Sequence, residues 1–190
     1  MRTDAAEVLK SAIPLLSKDR AASMQTVATR AGISRATLVR LFPTRQDLLQ
    51  AVADKILDDC ERILSRTEDE AAPTSRTLDE LIGDYRPFAQ LWNLVYVEPE
   101  VFGADQASDR ASVVFRRTVS FVERAQKAGL MRTDMPAPWL ASTFCSIAET
   151  AWELTLEGHM GARQAPEFIQ GILQHGVFAE GQPHDTGRPR

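Results

Sequence analysis

Apolar residues recur every three or four positions along nearly the whole chain, and no segment alternates apolar and polar residues as a half-buried strand would. In residues 3–18, for example, Val8, Ile13 and Leu16 share one helical stripe, and Pro14 is expected to bend or interrupt the last turns. The pattern therefore predicts an all-α protein of about nine helices.

Capping and breaking residues divide this pattern into segments. Ser23 and Ser34 are placed to cap two short helices on either side of Gly32, because a serine hydroxyl accepts from the free amides of a first helical turn. A longer fourth helix starts near Thr44, and the polar stretch 71–75 reads as a linker. Later helices are expected from residue 78 with a break or restart at Pro87, then at 106–128, 136–157 and 166–179, with a short piece around 99–103.

The composition is that of a globular protein, with 44% hydrophobic and 25% charged residues among 190. No apolar run approaches the roughly 18 to 20 residues of a membrane span, and the N-terminus lacks the layout of a signal peptide, so we expect a cytoplasmic protein without membrane contact. Cys60 and Cys145 lie far apart and outside any metal-ligand spacing, so buried thiols are expected rather than a disulfide, a metal site or a cofactor.

Charge is distributed unevenly along the chain. Residues 1–50 carry eight Lys or Arg against four Asp or Glu, a net +4, whereas residues 51–190 carry 14 against 22, a net −8. From Arg20 to Gln46 there are five arginines and no acidic residue, which favours a polyanion such as nucleic acid as the partner of this segment. A solvated basic surface is the alternative.

Residues 23–42 have the arrangement of a helix-turn-helix, which is two short capped helices joined by Gly32-Ile33-Ser34. The second helix turns Leu38 and Leu41 inward and exposes Arg35, Ala36, Thr37 and Arg40. Arginine can pair with guanine in the major groove, small residues allow close approach, and the free amides at Ser34 and Thr44 can hold phosphates. These residues predict contact with double-stranded DNA.

The run SMQTVATRAGISRATLVRLFPTRQDLLQAV resembles the DNA-binding segment of TetR/AcrR-type bacterial repressors. The resemblance implies a DNA-binding domain over residues 1–46, a ligand-binding and dimerisation domain over 47–179, and a tail over 180–190 that we expect to be disordered. It also implies that Thr26 lies near a phosphate and that Arg45 contacts DNA. Val39 and Leu41 depart from the aromatic or histidine residues common at these positions, so a tyrosine–phosphate contact is missing.

The helix predicted at 136–157 carries an apolar arc wider than the roughly 100° stripe that one neighbouring helix needs. It should therefore contact two partners, and the resemblance implies that one of them is a second copy of the chain. The candidate dimer residues are Phe144, Ile147, Ala151, Phe168, Ile169, Ile172 and Leu173. Completion of a monomeric core is the alternative.

Several aromatic residues and one carboxylate are candidates for binding a small-molecule effector. They are Trp92, Tyr96, Phe102, Phe115, Trp152 and Glu149. The aromatics could equally form ordinary core, and Glu149 could instead form a salt bridge with Arg116, Arg117 or Arg124. The resemblance favours a pocket between the fifth and eighth helices.

The three histidines, His159, His175 and His184, form no catalytic or metal-binding motif with their neighbours, and no phosphate-binding glycine loop is present, so catalysis is not expected. The sequence predicts a homodimeric repressor that binds a pseudo-palindromic operator and is released by a small, mostly apolar effector. A helical DNA-binding or protein-interaction module without an effector, and a small helical enzyme, are the alternatives.

Overall fold

The computed structural model describes residues 4–19, 21–68, 72–97 and 105–175. Nine helices and no strand occur within these ranges, which confirms the prediction of an all-α fold. The helices are α1 (Ala5–Lys18), α2 (Met24–Arg30), α3 (Arg35–Leu41), α4 (Arg45–Glu68), α5 (Ser75–Gly83), α6 (Arg86–Val97), α7 (Asp105–Lys127), α8 (Ala137–Glu157) and α9 (Ala165–His175). No helix in the described ranges is both long and apolar enough to cross a membrane.

Helix α1 continues through Pro14 to Lys18, so the expected interruption is wrong. Proline removes one amide donor, and here that loss falls within the last turn and a half of the helix. Ser17 Oγ donates to the carbonyl of Ile13 at 2.9 Å, and the amide of Asp19 donates to the carbonyl of Leu15 at 2.7 Å. These bonds hold the final turn.

The predicted restart at Pro87 is confirmed. Helix α5 ends at Gly83, and Pro87 is the second residue of α6, where the missing amide of a proline leaves no helical hydrogen bond unmade. Thr74 and Thr77 form a reciprocal capping box at the start of α5. The short piece expected at 99–103 and the tail at 180–190 lie outside the described residues.

Helix α4 connects the two halves of the chain. Its 24 residues span roughly 36 Å at the usual helical rise, and its buried positions extend from Leu48 to Thr67. Near its start α4 packs against α1, and along its length it also packs against α6 and α7. Helix α8 packs against α6, α7 and α9, so one continuous apolar core runs from the first helix to the last described one.

Candidate nucleic-acid interface and ligand cavity

Helices α2 and α3 are fixed by hydrogen bonds at their ends. Ser23 Oγ and Ser34 Oγ accept from the amides of Thr26 and Thr37, both at 3.1 Å, as the capping prediction required. Between the helices, the amide of Ile33 donates to the carbonyl of Ala28 at 3.0 Å, and that of Gly32 donates to Thr29 at 3.1 Å. This closing pattern needs a left-handed residue, and Gly32 supplies it with φ of +68°.

The packing of α3 determines which of its side chains face outward. Leu38 is fully buried together with Val27 and Ala28 of α2. As a consequence Arg35, Ala36 and Arg40 are exposed, and Thr37 is half-buried with its hydroxyl 2.9 Å from Ser34 Oγ. Arg35, Ala36 and Arg40 agree with the face read from helical angles, whereas Thr37 is less exposed than expected.

The exposed arginines of this unit carry uncompensated charge. Within the described parts of the chain, Arg30, Arg35 and Arg40 form no side-chain hydrogen bond and no ion pair. An arginine held by a carboxylate would have to break that pair before binding a phosphate or a base edge. These three side chains are ready to bind an anion without such a cost.

The start of α4 differs from the expectation that Thr44 offers a free amide to a phosphate. The amide and the hydroxyl of Thr44 both donate to Asp47 Oδ2, at 2.8 and 2.7 Å, and the amide of Asp47 donates back to Thr44 Oγ1 at 3.0 Å. The Thr44 amide is therefore occupied by a cap within the chain. That expectation is wrong for the amide.

The guanidinium of Arg45 makes a hydrogen bond within the protein. Its Nη1 donates to the carbonyl of Ala22 at 2.6 Å, across the gap between α4 and the segment before α2. Ala22 is buried, so this bond satisfies a carbonyl that has little access to water. Arg45 therefore has a structural role beside any contact with DNA.

A cavity of about 420 Å³ lies between α6, α7 and α8. Its walls are mostly apolar, and two ring pairs stiffen them: Trp92 and Phe115 have centroids 6.5 Å apart, and Phe88 and Phe144 meet edge-on at 5.8 Å. The described residues that line it are Phe88, Leu91, Trp92, Ala111, Ser112, Val114, Phe115, Arg116, Thr118 and Cys145.

The predicted ligand residues divide into three groups. Trp92 and Phe115 line the cavity. Trp152 and Glu149 are not among its described lining; Trp152 is buried, and Glu149 Oε1 accepts from Asn93 Nδ2 at 3.4 Å. The side chain of Tyr96 and the whole of Phe102 lie outside the described residues.

Sequence reasoning missed most of the wall that α7 contributes. Ala111, Val114, Phe115 and Thr118 follow the helical spacing of one face, so periodicity identified them as inward residues. Periodicity cannot distinguish a face that fills a core from one that borders a space. Cys145, which we expected only as a buried thiol, also lines the cavity.

Two of the arginines considered as partners of Glu149 bind α4 instead. Arg117 donates to both carboxylate oxygens of Glu68 at 2.8 Å, and Arg124 Nη2 donates to the carbonyl of Thr67 at 3.2 Å. Directly before the cavity-lining stretch, Arg110 contacts three carboxylates of α4: Asp54 at 3.2 Å, Asp58 at 2.7 Å and Glu61 at 3.0 Å. We call Arg110, Arg117 and Arg124 the arginine ladder.

Helices α8 and α9 expose large apolar side chains. Trp139 is 56%, Phe168 is 53% and Ile172 is 41% exposed. Three of the predicted dimer residues, Phe144, Ala151 and Ile169, instead lie inside the chain's own core. Ile147 and Leu173 are half-buried. Of the predicted dimer residues, Phe168 and Ile172 are therefore the ones exposed on the surface.

Comparison with known proteins agrees with the DNA-binding arrangement of residues 23–42. Residues 20–52 match the model of the family described as bacterial regulatory proteins, tetR family. The HTH-type transcriptional repressor LfrR of Mycolicibacterium smegmatis is 23% identical over 171 residues, covering 90% of this chain and 88% of LfrR. The HTH-type transcriptional regulator NfxB of Pseudomonas aeruginosa is 22% identical over 170 residues, covering 87% and 89%.

Solved structures share the fold. The crystal structure of LfrR in complex with proflavine has a TM-score of 0.68 and 22% identity, and the match covers 92% of this chain and 96% of that one. A Saccharomonospora viridis regulator in complex with choline has a TM-score of 0.60 and 18% identity, over 90% and 95%. The two curated relatives are named as a transcriptional repressor and a transcriptional regulator. Residues 20–52 thus resemble the tetR family of bacterial regulatory proteins, and the chain as a whole shares the fold of the solved TetR-like regulators.

Proposed function

We propose that this protein is a repressor that binds a pseudo-palindromic operator as a homodimer and leaves it when a small, mostly apolar effector enters the cavity. The observation that carries the proposal is one chain that combines an acid-free, arginine-bearing helix-turn-helix with an apolar cavity. Helix α4 starts beside the first of these sites and packs against a helix that lines the second.

The DNA-binding part of the proposal rests on α3. Arg35 and Arg40 have no partner in the described chain, and Ala36 lets the helix approach the bases closely. We assign base or phosphate contacts to Arg35, Ala36, Thr37 and Arg40, and phosphate contacts to Thr26 and Ser34. We also assign a phosphate contact to Arg45, which lies at the start of α4 beside α2 and binds the Ala22 carbonyl. Thr44 is not included, because Asp47 occupies its amide.

The effector part rests on the cavity and is supported by relatives. LfrR has been crystallised with proflavine and the Saccharomonospora viridis regulator with choline. A cavity of about 420 Å³ is within the usual range for small-molecule sites, and its aromatic walls suit an apolar body. Trp92 and Phe115 are the predicted ligand residues that we retain as direct contacts.

The dimer part rests on the exposed apolar residues of α8 and α9. Phe168 and Ile172 are neighbours on one face of α9, four residues apart, and such side chains are costly to leave in water in a contiguous patch. A two-fold axis at this face would pair the patch with itself and place two recognition helices on one side of the molecule.

Selection of DNA fragments from a random duplex library by the purified protein tests the operator. We expect a pseudo-palindrome with half-sites about one helical turn apart or somewhat more, and an affinity that falls steeply with salt. Arg35→Ala and Arg40→Ala should each weaken the selected site by about 1 to 3 kcal/mol where the side chain reads a base. Arg163→Ala, an exposed arginine between α8 and α9, is the matched control and should bind normally.

If the selection enriches no sequence, the proposal that the protein binds a specific operator is wrong. If a sequence is enriched but no compound releases the protein from it, the chain is a DNA-binding module without an effector.

A further inference from the structure

We propose that the effector is an aromatic or otherwise apolar molecule that carries a negative charge, and that Arg116 binds that charge. This inference rests on the proposed function, because it names the chemical class of the molecule that enters the cavity between α6, α7 and α8. It differs from the ligands of the two relatives above, since choline is a cation and proflavine is readily protonated.

The apolar part of the ligand is indicated by the aromatic walls. Phe88, Trp92 and Phe115 all border the space, and the Trp92 and Phe115 rings lie tilted at 39° with 6.5 Å between centroids. Rings with an edge or a face toward the cavity offer flat contact surface to an aromatic ligand. The cavity volume of about 420 Å³ limits that ligand to a few fused or linked rings.

The charge of the ligand is indicated by the polar residues of the wall. Arg116 is the one residue with a full charge among the described lining, and Ser112 lies one turn before it on α7. Both side chains are exposed, so they lie where the cavity opens to solvent. Within the described parts of the chain, neither side chain makes a hydrogen bond or an ion pair.

This pair can act as an anion site. A guanidinium and a hydroxyl one helical turn apart can donate together to a carboxylate, a sulfonate or a phosphate. The neighbouring arginine differs, because Arg117 lies about 100° further round α7 and donates to Glu68 of α4. Arg116 therefore has no alternative role in joining helices.

No carboxylate is among the described residues that line the cavity, so none of them offsets the charge of Arg116 there. Glu149 is not among the described lining, and its Oε1 accepts from Asn93 behind the wall. Asp109 lies two turns before Arg116 on α7 and is likewise not part of the described lining. A cationic ligand would meet Arg116 at the opening and be repelled, whereas an anionic one would be attracted.

Three naphthalene probes of nearly equal shape test the inference: 2-naphthoate, neutral 2-naphthamide and cationic 2-naphthylmethylamine. Quenching of the tryptophan fluorescence of the full chain, to which Trp92 in the cavity wall contributes together with Trp139 and Trp152, gives the affinity of each probe. Because Arg116 is exposed, we expect a moderate preference, with naphthoate binding about three- to ten-fold tighter than the amide. Arg116→Gln should remove this preference and Arg116→Lys should keep part of it.

Lys127→Gln is the control, because it removes a positive charge from the same helix roughly 16 Å further along. This variant should retain the preference for naphthoate. Equal binding of the three probes, tighter binding of the amine, absence of quenching by all of them, or an unchanged preference in Arg116→Gln would overturn the inference.

Operator release distinguishes this inference from the proposed function. If naphthoate binds through Arg116 but leaves operator binding unchanged, the anion site is supported and the proposal that the cavity binds an effector is contradicted. If the amine binds more tightly than naphthoate and releases the protein from the operator, the cavity does bind an effector but the inference that this effector is an anion is contradicted.

Discussion

At the scale of single residues, Arg45 shows how a basic side chain in a DNA-binding unit can serve two purposes. One of its nitrogens donates to the buried carbonyl of Ala22 at 2.6 Å, which joins the start of α4 to the segment that leads into α2. Arg35 and Arg40 on α3 make no comparable bond in the described chain. Substitutions at these arginines should therefore differ in their effect on folding.

Arg45→Ala should lower the free energy of unfolding by about 1 to 2 kcal/mol, because it leaves the Ala22 carbonyl without its charged donor. Urea titration followed by circular dichroism measures this change. Arg40→Ala is the control and should stay within about 0.5 kcal/mol of the natural protein, as exposed substitutions usually do. Equal stability of the two variants would contradict the structural role of Arg45.

The sequence could predict which side chains of α3 are exposed, because a short helix with one buried leucine leaves little freedom in its orientation. It could not predict how Thr44 is used. Threonine at a helix start can present its amide to a phosphate or accept a cap from a residue three positions on, and Asp47 decides this only through its rotamer. When a donor can reach two acceptors that bind it about equally well, the side-chain geometry decides between them, and the sequence does not reveal that geometry.

At the scale of helices, the arginine ladder joins α7, which lines the cavity, to α4, which begins beside the helix-turn-helix. Its members are seven residues apart on α7, and a helix drifts only about 20° over seven residues, so all three lie on one face. Their partners on α4 follow in the same order, from Asp54 to Glu68. Movement of α7 on ligand binding would therefore be passed to α4 through ionic and hydrogen bonds.

Arg117→Gln should weaken the coupling between effector and operator while leaving the affinity for the effector nearly unchanged. Coupling energies of this kind are typically about 1 to 3 kcal/mol, so the ratio of ligand affinities with and without operator should move toward one. Arg62→Gln is the control, because Arg62 pairs with Asp59 inside α4 and bridges no helices. Unchanged coupling in Arg117→Gln, or equal loss in both variants, would contradict the ladder's role.

The boundaries of the helices were largely predictable, and Pro14 shows where prediction fails. Pro87 comes shortly after Gly83 and Asp84, so its position in the first turn of α6 could be read from the sequence. Pro14 lies near the end of α1, where a buried face on both sides of it keeps the helix together despite one missing hydrogen bond. That compensation comes from tertiary packing and leaves no local signal.

At the scale of the whole molecule, α8 and α9 are buried on one face and exposed on the other. Counting apolar residues by helical angle gave a wide arc on α8 and an apolar stripe on α9, without separating core residues from surface residues. The structure separates them, with Phe144 inside the core and Phe168 outside it. Two substitutions to aspartate should therefore have different consequences.

Phe168→Asp should yield a folded monomer, because the exposed position tolerates charge in one chain but not in an apolar two-fold interface. Phe144→Asp should instead unfold the protein or make it insoluble, since an unpaired carboxylate in the core costs several kcal/mol. Light scattering at micromolar concentration measures the mass, and circular dichroism measures the folding. A monomeric natural protein, or a dimeric and stable Phe168→Asp, would refute the interface.

Cys145, which lines the cavity, has a chemically unreactive thiol. Burial raises the pKa of the Cys145 thiol to about 12, and it also raises the pKa of the buried Cys60 thiol well above its ordinary value. Almost no thiolate exists at neutral pH, so neither sulfur can readily attack electrophiles or peroxides. With Ellman's reagent at pH 7.5, the native protein should release almost no chromophore, and denatured protein should release two equivalents.

A cysteine introduced in place of Ala36 would then be the one reactive thiol of each chain, and a pair of spin labels attached there would read the separation of two recognition helices directly. Prompt reaction of the natural thiols would contradict their burial. The same inertness predicts that a molecule in the cavity forms no covalent bond with Cys145, so its binding should reverse on dilution.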